Sequence, residues 1–197
     1  MRLLPRGPRR PGLRHPDAGR RARGWLMAGG LGALAAASLG GCGRAASVAA
    51  TTEHLSITIS SAMATNGWPR YGPAVFTVRH GSLVTLVIKN TDDGPAPVPE
   101  ESGLNRVQGG TETVDGRPLR VVPMSKLSHT FTIFGEGINV PIPAAPTGSS
   151  DTIVFTFRAP PKGSYFWHCL APCGTGSDGM IGPMATADWM NGIMKVA

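Results

Sequence analysis

The sequence predicts an all-β fold, a Greek-key sandwich or small barrel, and three observations carry that expectation. Several short segments alternate apolar and polar residues with the period of two that puts successive side chains on opposite faces of a strand. Proline and glycine are abundant, 18 and 27 in 197 residues, and they cluster between those segments as turn signals. No stretch carries a convincing 3.6-residue amphipathic period, and no internal repeat is present. Short strands separated by turns without helices are the signature of a sandwich or barrel. The length suffices for one packed domain with some extra chain at the ends.

The first element is a leader. An Arg-rich stretch ending in RRARG (Arg20 to Gly24) precedes WLMAGGLGALAAASLGGC, an apolar and small-residue run of signal-peptide length. Its glycines and small-residue end disfavour a permanent transmembrane helix. Leu39-Gly40-Gly41-Cys42 resembles a bacterial lipobox, in which the cysteine is acylated and becomes the first mature residue. A plain signal peptide with an incidental cysteine is the alternative. Arg20-Arg21 followed by Trp25-Leu26 weakly resembles a twin-arginine signal, so the export route stays open. Residues 1–41 are therefore expected as a lipoprotein signal and 42–53 as a lipidated tether of small and polar residues. Residues 54–197 are expected as the folded domain, held at the outer face of the cytoplasmic membrane.

Removing the leader changes the charge. Eight of the 19 Lys and Arg residues precede Cys42, with one of the 12 acidic residues, so the remainder carries 11 of each sign. The formal charge of +7 belongs to the leader. Without a basic surface, nucleic-acid binding loses its electrostatic support.

Strands follow in order. In HLSITIS, Leu55, Ile57 and Ile59 share a face opposite Ser56, Thr58 and Ser60. AVFTVRHGSLVTLVIKN reads as two strands, Ala74 to Arg79 and Leu83 to Lys89, with a turn at His80-Gly81. From Thr91 to about Arg120, Pro, Gly and charged residues erase any period, which predicts a long surface insertion, poor in core and open to a partner. SHTFTIF, DTIVFTF and GSYFWHC give three more strands. TADWMNGIMKV near the end reads as one short turn or helix at best.

Alternation also says which side chains can meet. His129 shares the inward face with Phe131 and Ile133, at the start of its strand. Tyr165, Trp167 and Cys169 share a face, so Cys169 ends a strand with its sulfur inward and the adjacent His168 points away. With Cys42 acylated, Cys169 and Cys173 form an even pair in an oxidising compartment, and a structural disulfide is the plainest reading of such a pair. An inward histidine, a strand-terminal cysteine and a loop holding Cys173 and Met180 are a less common combination. Two thiolates, an imidazole and a thioether suit copper, especially Cu(I), and would also accept zinc. Nothing in the sequence supports hydrolysis: no Ser/His/Asp order, phosphate loop or paired-carboxylate pattern is present.

The residues SHTFTIFGEGINVPIPA and FTFRAPPKGSYFWHCLAPCGTGSDGMIG resemble the copper-A domain of cytochrome c oxidase subunit II, a member of the cupredoxin family. The resemblance spans roughly Leu55 to Met184 and is tight over His129 to Asn139 and Phe155 to Gly182. It implies a cupredoxin-like sandwich in which two thiolates bridge two coppers. Cys169 and Cys173 match those thiolates, His129 and Met180 match the ligands completing one copper, and the Ala171 carbonyl matches a backbone ligand of the other. The second copper's histidine falls on Ser177, whose neutral hydroxyl is a weak, hard donor for a soft metal. Asp178 is a poor substitute, as are His54 and His80, which lie in or beside early strands, and His15, which leaves with the leader. Met184, Met190 and Met194 are expected to pack or lie at the surface, with a secondary copper site as a lesser alternative.

This pattern implies one copper per chain, bound by His129, Cys169, Cys173 and Met180 with Ala171 nearby. The expected role is electron transfer between redox proteins, a cytochrome or an oxidase, by a lipid-anchored domain. Catalysis of its own is not expected, although the chain could serve as an electron-entry component related to the oxidase. The family's transmembrane hairpin is missing, and the lipid on Cys42 would anchor the chain instead. Two alternatives follow: a Cu(I) chaperone or store for a respiratory oxidase, or a metal-free module with a Cys169–Cys173 disulfide.

Overall fold

The computed structural model describes residues 52–60, 67–174 and 179–197. The expected signal segment, Cys42, Ser177 and Asp178 lie outside them, as does the expected tether apart from Thr52 and Glu53, which already belong to the first strand. Among the described residues eleven strands form two sheets. Strands β1 (Thr52–Ser60), β2 (Arg70–Gly72), β4 (Leu83–Asn90), β5 (Thr111–Val114), β6 (Arg117–Leu119) and β9 (Asp151–Arg158) form one, in the order β2-β1-β4-β9-β5-β6. Strands β3 (Val75–Val78), β7 (Leu127–Ile133), β8 (Ile138–Pro143), β10 (Gly163–His168) and β11 (Asn191–Val196) form the other, in the order β3-β11-β10-β7-β8. Each sheet is mixed: β1 runs parallel to β4 and β3 parallel to β11, and the remaining pairs are antiparallel. This is the all-β sandwich that the sequence predicts.

The alternation that marks the strands also builds the core. Along β4, Val84, Leu86 and Ile88 are buried while their neighbours are not, and along β9 Ile153, Phe155 and Phe157 repeat the pattern. They meet Phe131, Trp167, Met194 and Val196 of the second sheet in one apolar cluster. Each such side chain removed from water contributes roughly 1.5–3 kcal/mol, so the two sheets are joined mainly by burial. Gly192 of β11 is needed there because a Cβ would run into the Ala74 carbonyl and stand 2.6 Å from Trp167 Cζ2. The turn at His80-Gly81 carries the chain from one sheet to the other, with Gly81 at a φ of 70° and His80 exposed.

Two expectations are corrected. The segment expected as a surface insertion supplies β5, which pairs with β9, and β6, which pairs with β5, and it buries Ala96, Val98 and Glu112. Strands of four and three residues are too short to show a period, and docking of β5 on β9 supplies what local propensity lacks. In TADWMNGIMKV the first five residues form the expected turn, but Asn191–Val196 form β11, which lies between β3 and β10. There Gly192 and Asn191 mask the alternation of Met194 and Val196. Strand β8 was not expected either: Pro141 and Pro143 argue against a central strand, and β8 is the sheet's edge, where proline is tolerated. Among the described residues no helix is long and apolar enough to cross a membrane.

Candidate metal centre

His129 reaches the site through an irregularity in β7. The β7–β8 register shifts between Leu127 and His129, a bulge that re-aims side chains, and both Ser128 and His129 are buried. Ser128 is tied down by donating its hydroxyl to the Gly94 carbonyl at 2.7 Å. The His129 ring faces Cys169 with Nδ1, 4.0 Å from Sγ, and Asp92 with Nε2, 2.9 Å from Oδ2. Tyr71 packs edge-on over the same ring with centroids 6.3 Å apart and donates its buried hydroxyl to the Thr130 carbonyl at 2.9 Å.

Cys169 follows the last residue of β10 and is fully buried, as is Trp167, while Phe166 points outward and is exposed. The alternation read from the sequence holds through this strand. The Cys169 amide donates to the Met190 carbonyl at 2.8 Å, and the Leu170 amide donates to Thr130 Oγ1 at 2.8 Å. These bonds bend the chain back over β7. In return the Thr130 amide points at Cys169 Sγ, 3.4 Å away. The Cys173 amide closes a tight turn on the Ala171 carbonyl at 2.8 Å, which brings its sulfur to 3.5 Å from that of Cys169. Both thiols are free, so the alternative with a Cys169–Cys173 disulfide is corrected: their separation far exceeds the S–S bond of about 2.05 Å.

His129, Cys169 and Cys173 thus offer donor atoms that all lie within 4.8 Å of one another. The Ala171 carbonyl lies 3.7 Å from Cys169 Sγ, while also accepting from the Cys173 amide. Met180 is 37% exposed, whereas Met184 is buried, with its Sδ 3.1 Å from Cys173 Sγ. Met190 and Met194 are core residues. His168 stands on the outer side, 5.7 Å from the Phe166 ring, with Nε2 3.3 Å from the Met184 carbonyl.

The electrostatics of these groups interlock. Burial works to lower the His129 pKa, but its bonds to Asp92 and Cys169 dominate and raise it to about 9. Burial likewise works to raise the Asp92 carboxyl, and the bond to His129 outweighs it, holding Asp92 below its ordinary value. Against its own burial, Cys169 is held well below the usual thiol range by the Cys173 thiol and by His129. Cys173, bonded to that thiolate and buried, is pushed far up. Without metal, the site is therefore a Cys169 thiolate between a His129 imidazolium and a neutral Cys173 thiol.

Asp92 is the component that sequence reasoning missed. It lies two residues beyond β4, and fully buried Asn90 builds its turn: Asn90 Oδ1 accepts from the Asp92 amide at 3.0 Å. Asn90 Nδ2 donates to the Asp92 and Pro143 carbonyls at 3.1 and 2.8 Å. Asp92 Oδ1 accepts from the Gly94 amide at 3.2 Å, leaving Oδ2 for His129. The Asn90-x-Asp92 pair after an apolar strand is a local turn signal, but its link to His129 spans 37 residues and leaves no local pattern.

The donor set fits a soft metal. For metal–sulfur bonds of about 2.3 Å, neighbouring donors of a tetrahedral shell stand about 3.7 Å apart, and the separations here of 3.5 and 4.0 Å are on that scale. Thiolate and imidazole donors select copper or zinc over hard cations. A carboxylate on the far nitrogen of a ligating histidine fixes its tautomer, and Asp92 is placed to do so.

No family profile matches the chain, and no curated protein sequence matches it. Among solved structures it resembles a mutant of rusticyanin, at 18% identity over 75% of this chain and 78% of that one, with a TM-score of 0.39. It also resembles reduced auracyanin from the photosynthetic bacterium Roseiflexus castenholzii, at 19% identity over 75% and 98% of the two chains, with a TM-score of 0.34. Another rusticyanin structure, described as a copper protein, matches at 16% identity over 75% and 78%, with a TM-score of 0.37. These likenesses are distant, and what the site can do follows from its own donors.

Proposed function

We propose that this chain is a cupredoxin-like electron-transfer protein that holds one copper at His129, Cys169 and Cys173. The observation that carries the reading is the buried cluster of one imidazole and two free thiols, with a carboxylate already bonded to the far side of the imidazole. Copper, when bound, supplies a one-electron couple. The chain's own residues do the rest. His129 presents Nδ1 while Asp92 holds Nε2, and Cys169 is fixed at the end of β10 by the Met190 carbonyl and the Thr130 amide. His129 on β7 and Cys169 just beyond the end of β10 are held by the paired strands whatever the charge at the centre, and low reorganisation is what an electron carrier needs. Trp167, Tyr71 and Phe131 wall the site with aromatic rings and exclude water from its inner side.

The Cu(I) chaperone or store is the second reading, and partly exposed Cys173 favours it, since a transferable ion needs an open ligand. Full burial of His129 and Cys169 weighs against rapid exchange. The lipid anchor on Cys42, the outer face of the cytoplasmic membrane, a kinship with oxidase subunit II and an oxidase or cytochrome partner complete the proposal. They rest on the leader and on the resemblance around the two cysteines.

Loading the full chain with copper tests the reading. An electron-transfer site should show one copper per chain, an intense thiolate-to-Cu(II) absorption and a mononuclear spin-resonance pattern. Colourless, readily exchanged Cu(I) would favour the store. Two coppers with delocalised spin would restore the oxidase-type pair. Fractionation tests the anchor separately: Cys42→Ser should leave the membrane fraction or remain unprocessed, and a processed, membrane-bound variant would refute the lipobox.

A further inference from the structure

We infer that Met184, rather than Met180, supplies the thioether to the soft-metal site, an assignment that rests on the copper reading above. Spacing from Cys173 singles out Met180, but spacing counts residues and does not say where the loop runs. In the folded chain the Met184 sulfur lies 3.1 Å from Cys173 Sγ, closer than the two thiols are to each other. Met184 is 3% exposed and Met180 is 37% exposed, beside Ile181 at 53%. A thioether is neutral and soft, so it can be buried beside thiolate donors without the desolvation cost of a charge.

The chain around Met184 is built to hold it there. Residues Gly182–Met184 form a 3-10 turn, with Gly182 at a φ of 68° and its carbonyl accepting from the Ala185 amide at 3.1 Å and Thr186 Oγ1 at 2.8 Å. Asn191 Nδ2 donates to the Thr186 carbonyl at 3.0 Å, tying this turn to the start of β11. His168 Nε2 approaches the Met184 carbonyl at 3.3 Å from β10. Gly174, next to Cys173, leaves room for the side chain: a Cβ there would stand 3.0 Å from Met184 Cγ and collide with the Ile181 carbonyl. Met190 and Met194 are buried as deeply in the same apolar cluster, and it is the 3.1 Å contact with Cys173 that sets Met184 apart from them. Met184 is therefore a thioether whose backbone is fixed from three sides and whose sulfur lies against Cys173.

Selenium makes the assignment visible. The full chain is produced with selenomethionine, loaded with Cu(I) and measured by X-ray absorption at the copper edge, alongside Met180→Leu and Met184→Leu. Copper–selenium scattering should be present in the parent chain, persist in Met180→Leu and vanish in Met184→Leu. Competition with a chromogenic Cu(I) chelator should show affinity reduced roughly tenfold or more in Met184→Leu, and changed by less than about threefold in Met180→Leu. Scattering that survives Met184→Leu, or vanishes in Met180→Leu, would overturn the assignment and leave the copper reading intact. A copper-loaded parent without any copper–selenium signal would do the same. A parent that takes up no copper would overturn both. Should Met184→Leu fail to fold, Met180→Leu still decides, since its surface-exposed position is separate from the core and its scattering either persists or is lost.

Discussion

Asp92 and Glu112 lie in one stretch of the sequence, and the fold treats the two carboxylates in opposite ways. Asp92 is partly exposed, accepts from Gly94 and His129, and is held below its ordinary pKa. Glu112 on β5 is 3% exposed, neither of its carboxylate oxygens has a hydrogen-bond partner among the described residues, and burial lifts its pKa to about 8. A carboxylate that finds a cation becomes part of a site. One that finds none stays protonated and taxes the fold.

The largest effect expected is at Glu112. Its pKa is 4.5 before folding and about 8 after, so the folded chain holds the proton between those values while the unfolded chain gives it up. The contribution of Glu112 to stability is therefore greatest below about pH 4.5, declines as pH rises to about 8, and levels off beyond. The full difference is on the order of a few kcal/mol. Glu112→Leu should remove this slope, stabilising the chain at pH 9 and changing little at pH 4, as read from denaturant midpoints at each pH. A slope unchanged in the variant would mean that the carboxyl reaches water or a cation in solution. Arg120, which lines a small pocket together with Glu112, is a candidate.

Asp92 should report on metal instead. Asp92→Ala frees the far nitrogen of His129 and should weaken copper binding about 10–100-fold, the usual cost of losing a carboxylate behind a ligating histidine. Asp92→Asn, which can still accept a bond at the same place, should recover part of the loss. Equal affinity in all three proteins would show that the bulge in β7 orients His129 without help.

A third expectation concerns protons and applies to the site as a whole. His129, raised to about 9, and Cys173, raised further, both carry protons at neutral pH in the metal-free chain. Copper needs both lone pairs, so uptake should release about two protons and affinity should fall as pH falls. Calorimetry in buffers of different ionisation enthalpy measures the number released. In Asp92→Ala one of the supports of the His129 proton is gone, and the release should drop toward one.

How much of this was legible in the sequence depended on the range of each interaction. Strand alternation is local, so β4, β7, β9 and β10 could be read directly, and with them the inward faces of His129 and Cys169. The C-x3-C spacing is also local, and it brought Cys173 to the same place. Strand β11 escaped because Trp189, Asn191 and Gly192 interrupt its pattern, although Gly192 is there to let β11 pass Ala74 and Trp167. Asp92 and Met184 escaped for a different reason. Each joins the site across a distance in sequence, 37 residues to His129 and 11 to Cys173, through turns whose course only the fold reveals. The resemblance to the copper-A domain supplied a ligand list by position, and position alone favours Met180 over Met184.

The smallest effect is expected at His168, where the contrast between a partnered and an orphaned polar group recurs. His168 adjoins Cys169 in sequence, yet alternation puts it on the outer side of β10 with Phe166, while Cys169 faces His129. Its Nε2 approaches the Met184 carbonyl, and its Nδ1 is buried with no hydrogen-bond partner among the described residues. That nitrogen makes His168 a rival to His129 only if the strand ends before it, because at the end of β10 the neighbouring side chains of His168 and Cys169 take opposite faces. If the register holds, His168→Ala should keep its copper through dialysis, with affinity changed by about threefold or less through the loosened Met184 turn. His129→Ala should lose most of its copper in the same test. Equal losses would mean that β10 ends one residue early in solution and that both imidazoles serve the site. Such a result would also weaken the case for a single copper, since the resemblance to the copper-A domain places a second histidine where this chain has Ser177.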